Sequence, residues 1–477
     1  MIEQQTPEQD SQEFAACEKQ KLTGTEKAIL NFNPHTSKIS FALFYAQLIS
    51  RSVIRYYAYG PDLPSWNLKG QILMDILRVG THEQYKLTDD DLSTLDIYAY
   101  MRIRRQDDSL SFIINDDIKG LVVSENCIEV VNDLTISPLP LFDGLCKYDA
   151  KLSESGSPRT VQYEVTSTPD LVKEIEEELG LDHDFDSILE ARPLHDQEYI
   201  VWHIHGGAYL TGSPRVYRQL KRNLSIVTGL RVFGSGYRLA PESKYPAQLH
   251  DAYITYQFLL NQGFDPSRIV IVGDSAGANL ALALIHLLRM LKLPTFRGLV
   301  FLSPWAKLFA DGDSISYNAS YDFLKMDKEN PLYPARLYLD PGMPLTEELL
   351  ERSKDKLISP IYGDFTGFPP MLVQYGDCEI LKSNIVEFVE RVRLCQKVSA
   401  NKAIVTRNSR YSRLTSNYEP LVTCEGYKDM PHMFQMVDHI DPAKEAIAKI
   451  GQFVKNLTNQ DFYDASDASD ASDSRSI

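Results

Sequence analysis

The sequence predicts an α/β protein with a mostly parallel central sheet flanked by helices on both faces. Two observations carry that expectation. From about position 199 onward, short β-branched runs alternate with segments of helical periodicity. Those runs show little polar–apolar alternation, as strands do when helices cover both faces of their sheet.

Taken in order, the predicted strands are Tyr199–Ile204, Arg231–Phe233, Ile269–Val272, Leu299–Leu302, Met371–Tyr375 and Leu421–Cys424. Helices are predicted between them at Pro214–Thr228, with Ser213 as N-cap and Pro214 in the first turn. Others are predicted at Leu249–Leu260, at 276–291 and at Asn384–Cys395, with Pro442–Leu457 as the last. Such β-α-β units cross over right-handed and gather reactive groups at the carboxyl ends of the strands.

Upstream the period differs. Ser111–Ile114, Gly120–Val123, Cys127–Val131 and Val161–Val165 are short strands separated by Asp, Asn, Gly and Ser. Earlier still, Phe41, Leu43, Phe44, Leu48 and Ile49 recur at helical spacing, as do Ile72, Leu73, Ile76 and Leu77. A proline-punctuated loop, Tyr59 to Trp66, joins them. The expected organisation is a disordered stretch over 1–24, a helical cap region over 25–110 and an α/β domain over 111–458. Part of 306–368 joins the cap, and 459–477, which repeats Ala-Ser-Asp, is a disordered acidic tail.

Composition narrows the partners. A net charge of −16 and a pI near 5.2 argue against a duplex nucleic-acid binder, which needs clustered Lys and Arg. The six cysteines, Cys17, Cys127, Cys146, Cys378, Cys395 and Cys424, form no C-x-x-C pair and read as free thiols. Met1 to Lys21 is polar and acidic, unlike a cleaved signal peptide. No stretch reaches the ~18 apolar residues of a spanning helix. The nearest, Ile39 to Ile49, is closed by Arg51 and Arg55. The expectation is a cytoplasmic protein or one attached peripherally to a membrane. The sequons at Asn223, Asn318 and Asn456 are short enough to arise by chance.

The strongest chemical signal is Gly273-Asp274-Ser275-Ala276-Gly277. It follows four β-branched residues and precedes a helix, which is the strand–turn–helix setting of a nucleophile elbow. A serine in that strained turn needs small neighbours, and Gly273, Ala276 and Gly277 supply them. A phosphate-binding loop would need a lysine that this turn lacks. The second signal is His205-Gly206-Gly207-Ala208-Tyr209, just after a strand. Acyl transfer develops an oxyanion, and the N–H groups of Gly206, Gly207 and Ala276 are the candidate donors to it. His203 and His205 alternate on one strand face and could pair on a metal, but no third ligand stands near them in sequence.

The base candidate is His432, in a loop after the last strand, which gives the chain order serine, acid, histidine. His439 is the runner-up. The acid is expected after Met371–Tyr375, where Asp377 and Glu379 compete. One should orient the imidazole, and the other should hold a turn.

Together these motifs resemble the hormone-sensitive-lipase-like branch of the α/β-hydrolase fold. Tyr237-Arg238-Leu239-Ala240-Pro241-Glu242, Tyr245-Pro246-Ala247, Ser303-Pro304-Trp305, Ile358-Ser359-Pro360 and Phe368-Pro369-Pro370 are similar to its landmarks. The resemblance covers about 195–457. It implies an acid two residues before a leucine followed by a basic residue, as Glu379 stands before Leu381-Lys382. The branch more often has Asp there. Lys307 stands where many members have Asp, a departure expected to alter a helix start. Gln396 to Pro420 reads as an inserted loop carrying Lys397, Lys402, Arg407, Arg410 and Arg413.

The N-terminal region resembles fungal steryl acetyl hydrolases more loosely. That likeness implies a serine esterase acting on short acyl esters of hydrophobic alcohols, steryl acetates included, and a location at the endoplasmic reticulum. Phe41, Phe44, Tyr45 and Trp66 would line the alcohol site or simply fill the cap core. The mechanism calls for no metal or organic cofactor. The rival functions are an amide hydrolase on the same triad and a small-molecule receptor that keeps the fold without catalysis. The receptors of this branch lack the histidine that His432 supplies.

Overall fold

The computed structural model describes residues 38–82, 96–98, 101, 118–179, 185–405 and 421–473. Eight strands form one sheet in the order β1-β2-β4-β3-β5-β6-β7-β8. They are β1 (Val122–Glu129), β2 (Thr160–Ser167), β3 (Ile200–Ile204), β4 (Val232–Ser235), β5 (Ile269–Asp274), β6 (Gly298–Leu302), β7 (Met371–Gly376) and β8 (Val422–Tyr427). β2 runs antiparallel to both β1 and β4, and every other pairing is parallel.

The side chains of the central strands alternate between two apolar cores. Ile269, Ile271, Leu299, Phe301, Met371 and Val373 enter one. Val270, Val272, Val300, Leu302 and Leu372 enter the other. Both faces are therefore dry, which is why these strands read as unbroken apolar runs.

Nine helices longer than two turns flank or cap this sheet among the described residues. They are α1 (Lys38–Tyr59), α2 (Leu68–His82), α3 (Asp143–Glu154), α4 (Pro169–Leu179), α5 (Arg218–Thr228), α6 (Ala247–Asn261), α7 (Ala276–Met290), α8 (Lys382–Val405) and α9 (Asp441–Asp473). Shorter helical turns, among them Ser314–Tyr317, Pro334–Leu339 and Glu347–Arg352, fill the segment between β6 and β7.

Several boundaries differ from the sequence reading. The separate runs 120–123 and 127–131 are one strand, because Ser124, Glu125 and Asn126 pair in register with Val165, Glu164 and Tyr163. An edge strand tolerates such polar residues on its solvent side. Ser213 stands at an N-cap but makes no side-chain cap bond, and the first turn after it is a 3-10 turn from Pro214 to Tyr217. α8 runs on to Val405 through the first part of the expected inserted loop, since no Gly or Pro interrupts it. α9 likewise continues to Asp473 through the Ala-Ser-Asp repeat, where disorder is expected; no helix breaker follows Gly451, and alanine favours the helix. Residues 1–24, the run 111–114, Cys17, Arg407, Arg410 and Arg413 lie outside the described residues, as do the Phe41 and Phe44 side chains.

The N-terminal segment packs against the sheet's carboxyl end. Leu63, Trp66 and Met74 share a buried cluster with Cys378, Tyr427, Met430 and Phe434. Trp66 Nε1 donates to Asp429 O at 2.6 Å, so the indole is cap core with its polar edge satisfied. No helix among the described residues is long and apolar enough to cross a membrane. Cys127, Cys146, Cys378, Cys395 and Cys424 are free thiols.

Candidate active site

β5 ends at Asp274 and α7 begins at Ala276, leaving Ser275 alone in the turn between them. Its backbone sits at φ 49° and ψ −116°, a strained conformation for a residue with a Cβ. Hydrogen bonds fix it on both sides. Ser275 N donates to Leu302 O at 2.9 Å, and Trp305 N donates to Ser275 O at 3.1 Å.

The neighbouring glycines are required by close backbone approach. A Cβ on Gly277 would lie 2.1 Å from Ile204 O, so any side chain would push α7 away from β3. A Cβ on Gly206 would lie 2.2 Å from Asp274 Oδ2. The glycine loop after β3 thus leans directly on the serine turn. Gly207, Ala208 and Tyr209 then take successive positive φ values of 105°, 56° and 65°. Tyr237 supports this turn, its OH donating to His205 O at 2.8 Å. The segment bearing Gly206 thus lies against Asp274, at the start of the turn that carries Ser275 and Ala276.

His203 and His205 are engaged structurally. His203 Nε2 lies 3.2 Å from Asp274 Oδ1. His205 Nδ1 donates to Gly206 O at 2.7 Å, and its ring stacks on Tyr237 at 4.3 Å. Burial pushes the His205 pKa down to about 4, so it is a neutral packing ring at pH 7. Among the described residues the one three-donor grouping of metal-ligand type is Asp377, Cys378 and Asp429.

Of the two competing carboxylates, Glu379 reaches the imidazole. Glu379 Oε2 lies 2.7 Å from His432 Nδ1, and both residues are buried. Glu379 Oε1 accepts from Gly376 N at 3.2 Å. Asp377 Oδ1 instead accepts from Asp429 N at 2.9 Å, tying the acid-bearing loop to the histidine-bearing loop. His439 is exposed, 3.8 Å from Asp438 Oδ1. The two loops touch through backbone, for a Cβ on Gly376 would lie 2.1 Å from Met430 O.

Burial alone would lower the His432 pKa. The hydrogen bond and charge of Glu379, with the charges of Asp322 and Asp274 beyond, outweigh it and hold the imidazole above its ordinary value. Burial also pushes Glu379 up, while the same imidazole bond works against that shift. The two groups therefore titrate as a coupled pair.

The end of β6 joins the pieces. Leu302 O accepts from Ser275 N, and the next residue, Ser303, accepts through Oγ from Met433 N at 3.1 Å. Ser303 stands in the Ser-Pro-Trp landmark, so a sequence signal existed for it. Asn318 and Asp322, which bond the acid loop from the segment after β6, stand in a stretch without periodicity and gave none. Lys307 starts no helix. Its Nζ lies 2.7 Å from Asp311 Oδ1 and 3.3 Å from Glu387 Oε2, an ion-pair site between two carboxylates.

The sequence model of the α/β hydrolase fold matches residues 201–404. An esterase of Acinetobacter venetianus is 34% identical over 261 residues, covering 54% of this chain and 75% of that protein. An acetyl-hydrolase of Streptomyces hygroscopicus is 37% identical over 193 residues, 40% of this chain and 60% of its own length. The crystal structure of an esterase from the bacterial hormone-sensitive lipase family superposes with a TM-score of 0.51 at 27% identity. It covers 81% of this chain and 98% of the esterase.

Proposed function

This chain belongs to the α/β-hydrolase family, in its hormone-sensitive-lipase-like branch, and on that footing we propose that it is a serine carboxylic-ester hydrolase. The observation that carries the proposal is the buried His432–Glu379 pair at 2.7 Å, held by the same strand end that holds the strained Ser275 turn.

The mechanism is two-step acyl transfer. His432 takes the Ser275 hydroxyl proton as Oγ attacks the ester carbonyl, and Glu379 stabilises the imidazolium that forms. The N–H groups of Gly206, Gly207 and Ala276 receive the oxyanion. The imidazolium returns its proton to the departing alcohol, leaving Ser275 acylated. Water, deprotonated by His432, then releases the acid and restores the serine.

The substrate class is short acyl, chiefly acetyl, esters of hydrophobic alcohols. An acetyl-hydrolase among the relatives supports the short acyl group. The N-terminal resemblance supports a bulky alcohol such as a sterol. The test is a panel of acetyl, butyryl and long-chain esters, with steryl acetates and an acetanilide, on wild type and Ser275→Ala. Acetyl esters should turn over fastest, and Ser275→Ala should lose activity and fluorophosphonate labelling together. Labelling of the alanine variant, or turnover of the anilide alone, would overturn this reading.

A further inference from the structure

A third carboxylate lies beside the buried pair. Asp322 is fully buried, in the segment between β6 and β7. Its Oδ1 accepts from Phe323 N at 2.8 Å, from Leu324 N at 3.4 Å and from His432 N at 3.3 Å. Its Oδ2 accepts from Ile380 N at 2.7 Å. One carboxylate therefore bonds the backbone of His432 and of the residue that follows Glu379.

The same segment grips the acid loop twice more. Ser314 Oγ donates to Ile380 O at 2.6 Å. Asn318 Nδ2 donates to Glu379 O at 2.8 Å and to Asp377 O at 3.1 Å. Behind it, Arg78 of α2 donates to Ser320 O at 2.6 Å and to Asp322 O at 3.3 Å. The chain of contacts runs from α2 through Asp322 to both ends of the Glu379–His432 bond.

We propose that Asp322 is a positioning residue of the Ser275–His432–Glu379 site, fixing the base loop and the acid loop in one register and adding a second negative charge beside the imidazole. This rests on the catalytic reading of that site. A buried carboxylate kept only to cap a turn needs its own local N–H donors, which Phe323 and Leu324 provide. The bonds to His432 N and Ile380 N exceed that need. The charged groups facing His432 are Glu379 from the loop after β7, Asp322 from the β6–β7 segment and Asp274 from β5. All three favour the protonated ring; burial raises the Asp322 pKa, and the His432 charge with the N–H groups of Ile380, Leu324 and Phe323 works against that shift.

Asp322→Asn tests the proposal in the full-length chain. The amide keeps one acceptor but turns an NH2 toward His432 N or Ile380 N, and it removes the charge. The expected result is a kcat lower by about tenfold, the scale of one buried charge-assisted bond, with KM for a short aryl ester little changed. The acid limb of the kcat/KM profile should also move to lower pH. Ser314→Ala, which loosens the same loop without touching His432, should leave that limb in place. Wild-type kcat and an unmoved limb in Asp322→Asn overturn the positioning role. So does an equal shift in Ser314→Ala. Should Asp322→Asn not fold by circular dichroism, Asp322→Ser is read in the same assay. Failure of both to fold makes Asp322 a folding residue and overturns the role. Activity retained by Ser275→Ala removes the catalytic reading and this inference with it. Loss in Ser275→Ala beside normal Asp322→Asn removes only the inference.

Discussion

Glu379 Oε2 and His432 Nδ1 lie 2.7 Å apart, while Asp377, two residues before Glu379, spends its Oδ1 on the Asp429 amide. The two carboxylates of one short loop thus do different work. Glu379→Gln should lower kcat by several orders of magnitude, because the amide neither stabilises the imidazolium nor fixes its tautomer. Asp377→Asn should cost far less, since its carbonyl oxygen still accepts from Asp429 N. Glu379→Asp should keep part of the activity. Steady-state kinetics on the three variants, with circular dichroism, checks this. A crippled Asp377→Asn beside a near-normal Glu379→Gln would reverse the roles.

The pH dependence follows from the raised His432 pKa. A general base must be neutral, so kcat/KM rises as pH passes upward through that pKa. The acid limb should therefore lie above the ordinary imidazole value of about 6.5. In Glu379→Gln the burial remains while the opposing charge is gone, so any residual activity should show its limb at lower pH. A wild-type limb well below ~6 would contradict the electrostatics described for the site.

Gly277→Ala should damage stability and rate together. Its Cβ would sit 2.1 Å from Ile204 O, so α7 must move off β3 and carry Ala276 away from Gly206. The expected loss is about 1–3 kcal/mol of folding stability, the usual cost of overpacking, with a reduced kcat. Denaturant titration and kinetics on the same preparation measure both. Unchanged stability would mean that the approach of β3 to α7 is looser than described.

Lys307 offers a test of a departure from the family pattern. It bridges Asp311 and Glu387, so Lys307→Asp would gather three carboxylates where Lys307→Met leaves two. The aspartate should destabilise more than the methionine, and the gap should narrow in high salt as the charges are screened. Thermal melts at low and high ionic strength decide it. Equal melting temperatures for the two variants would mean that a third carboxylate costs nothing there.

The surface of α1 bears on location. Ile54, Tyr57 and Tyr59 are exposed, with Arg51 and Arg55 on the same helix. Apolar and aromatic side chains beside arginines suit the interface of an anionic bilayer. The protein should sediment with phosphatidylserine vesicles and be released by carbonate. Ile54→Ser with Tyr57→Ser should weaken that binding without lowering turnover of a water-soluble ester. Retention after carbonate would point to an anchor of another kind.

The fold was largely legible because its central strands are buried on both faces, which compels unbroken apolar runs, and because helices alternate with them. The edge was read less well. Polar Ser124, Glu125 and Asn126 hid one strand inside what looked like two. Helix ends were also misplaced at α8 and α9, since a helix stops where a breaker or a packing partner stops it and neither sequence stretch contains a breaker.

By itself the sequence determined Ser275, Gly206, Gly207 and Ala276 as candidates, because the turns that hold them need glycine and small residues within a few positions, and His432 because it follows the last strand in the chain order serine, acid, histidine. It reduced the acid to two residues in one loop. Only the tertiary structure decided which of them reaches the imidazole, for that depends on how the loops after β7 and β8 meet where Gly376 touches Met430 O. Asp322 needed the fold altogether. Its partners His432 and Ile380 are brought to it by strand order, and no spacing in the chain records a contact between residues so far apart.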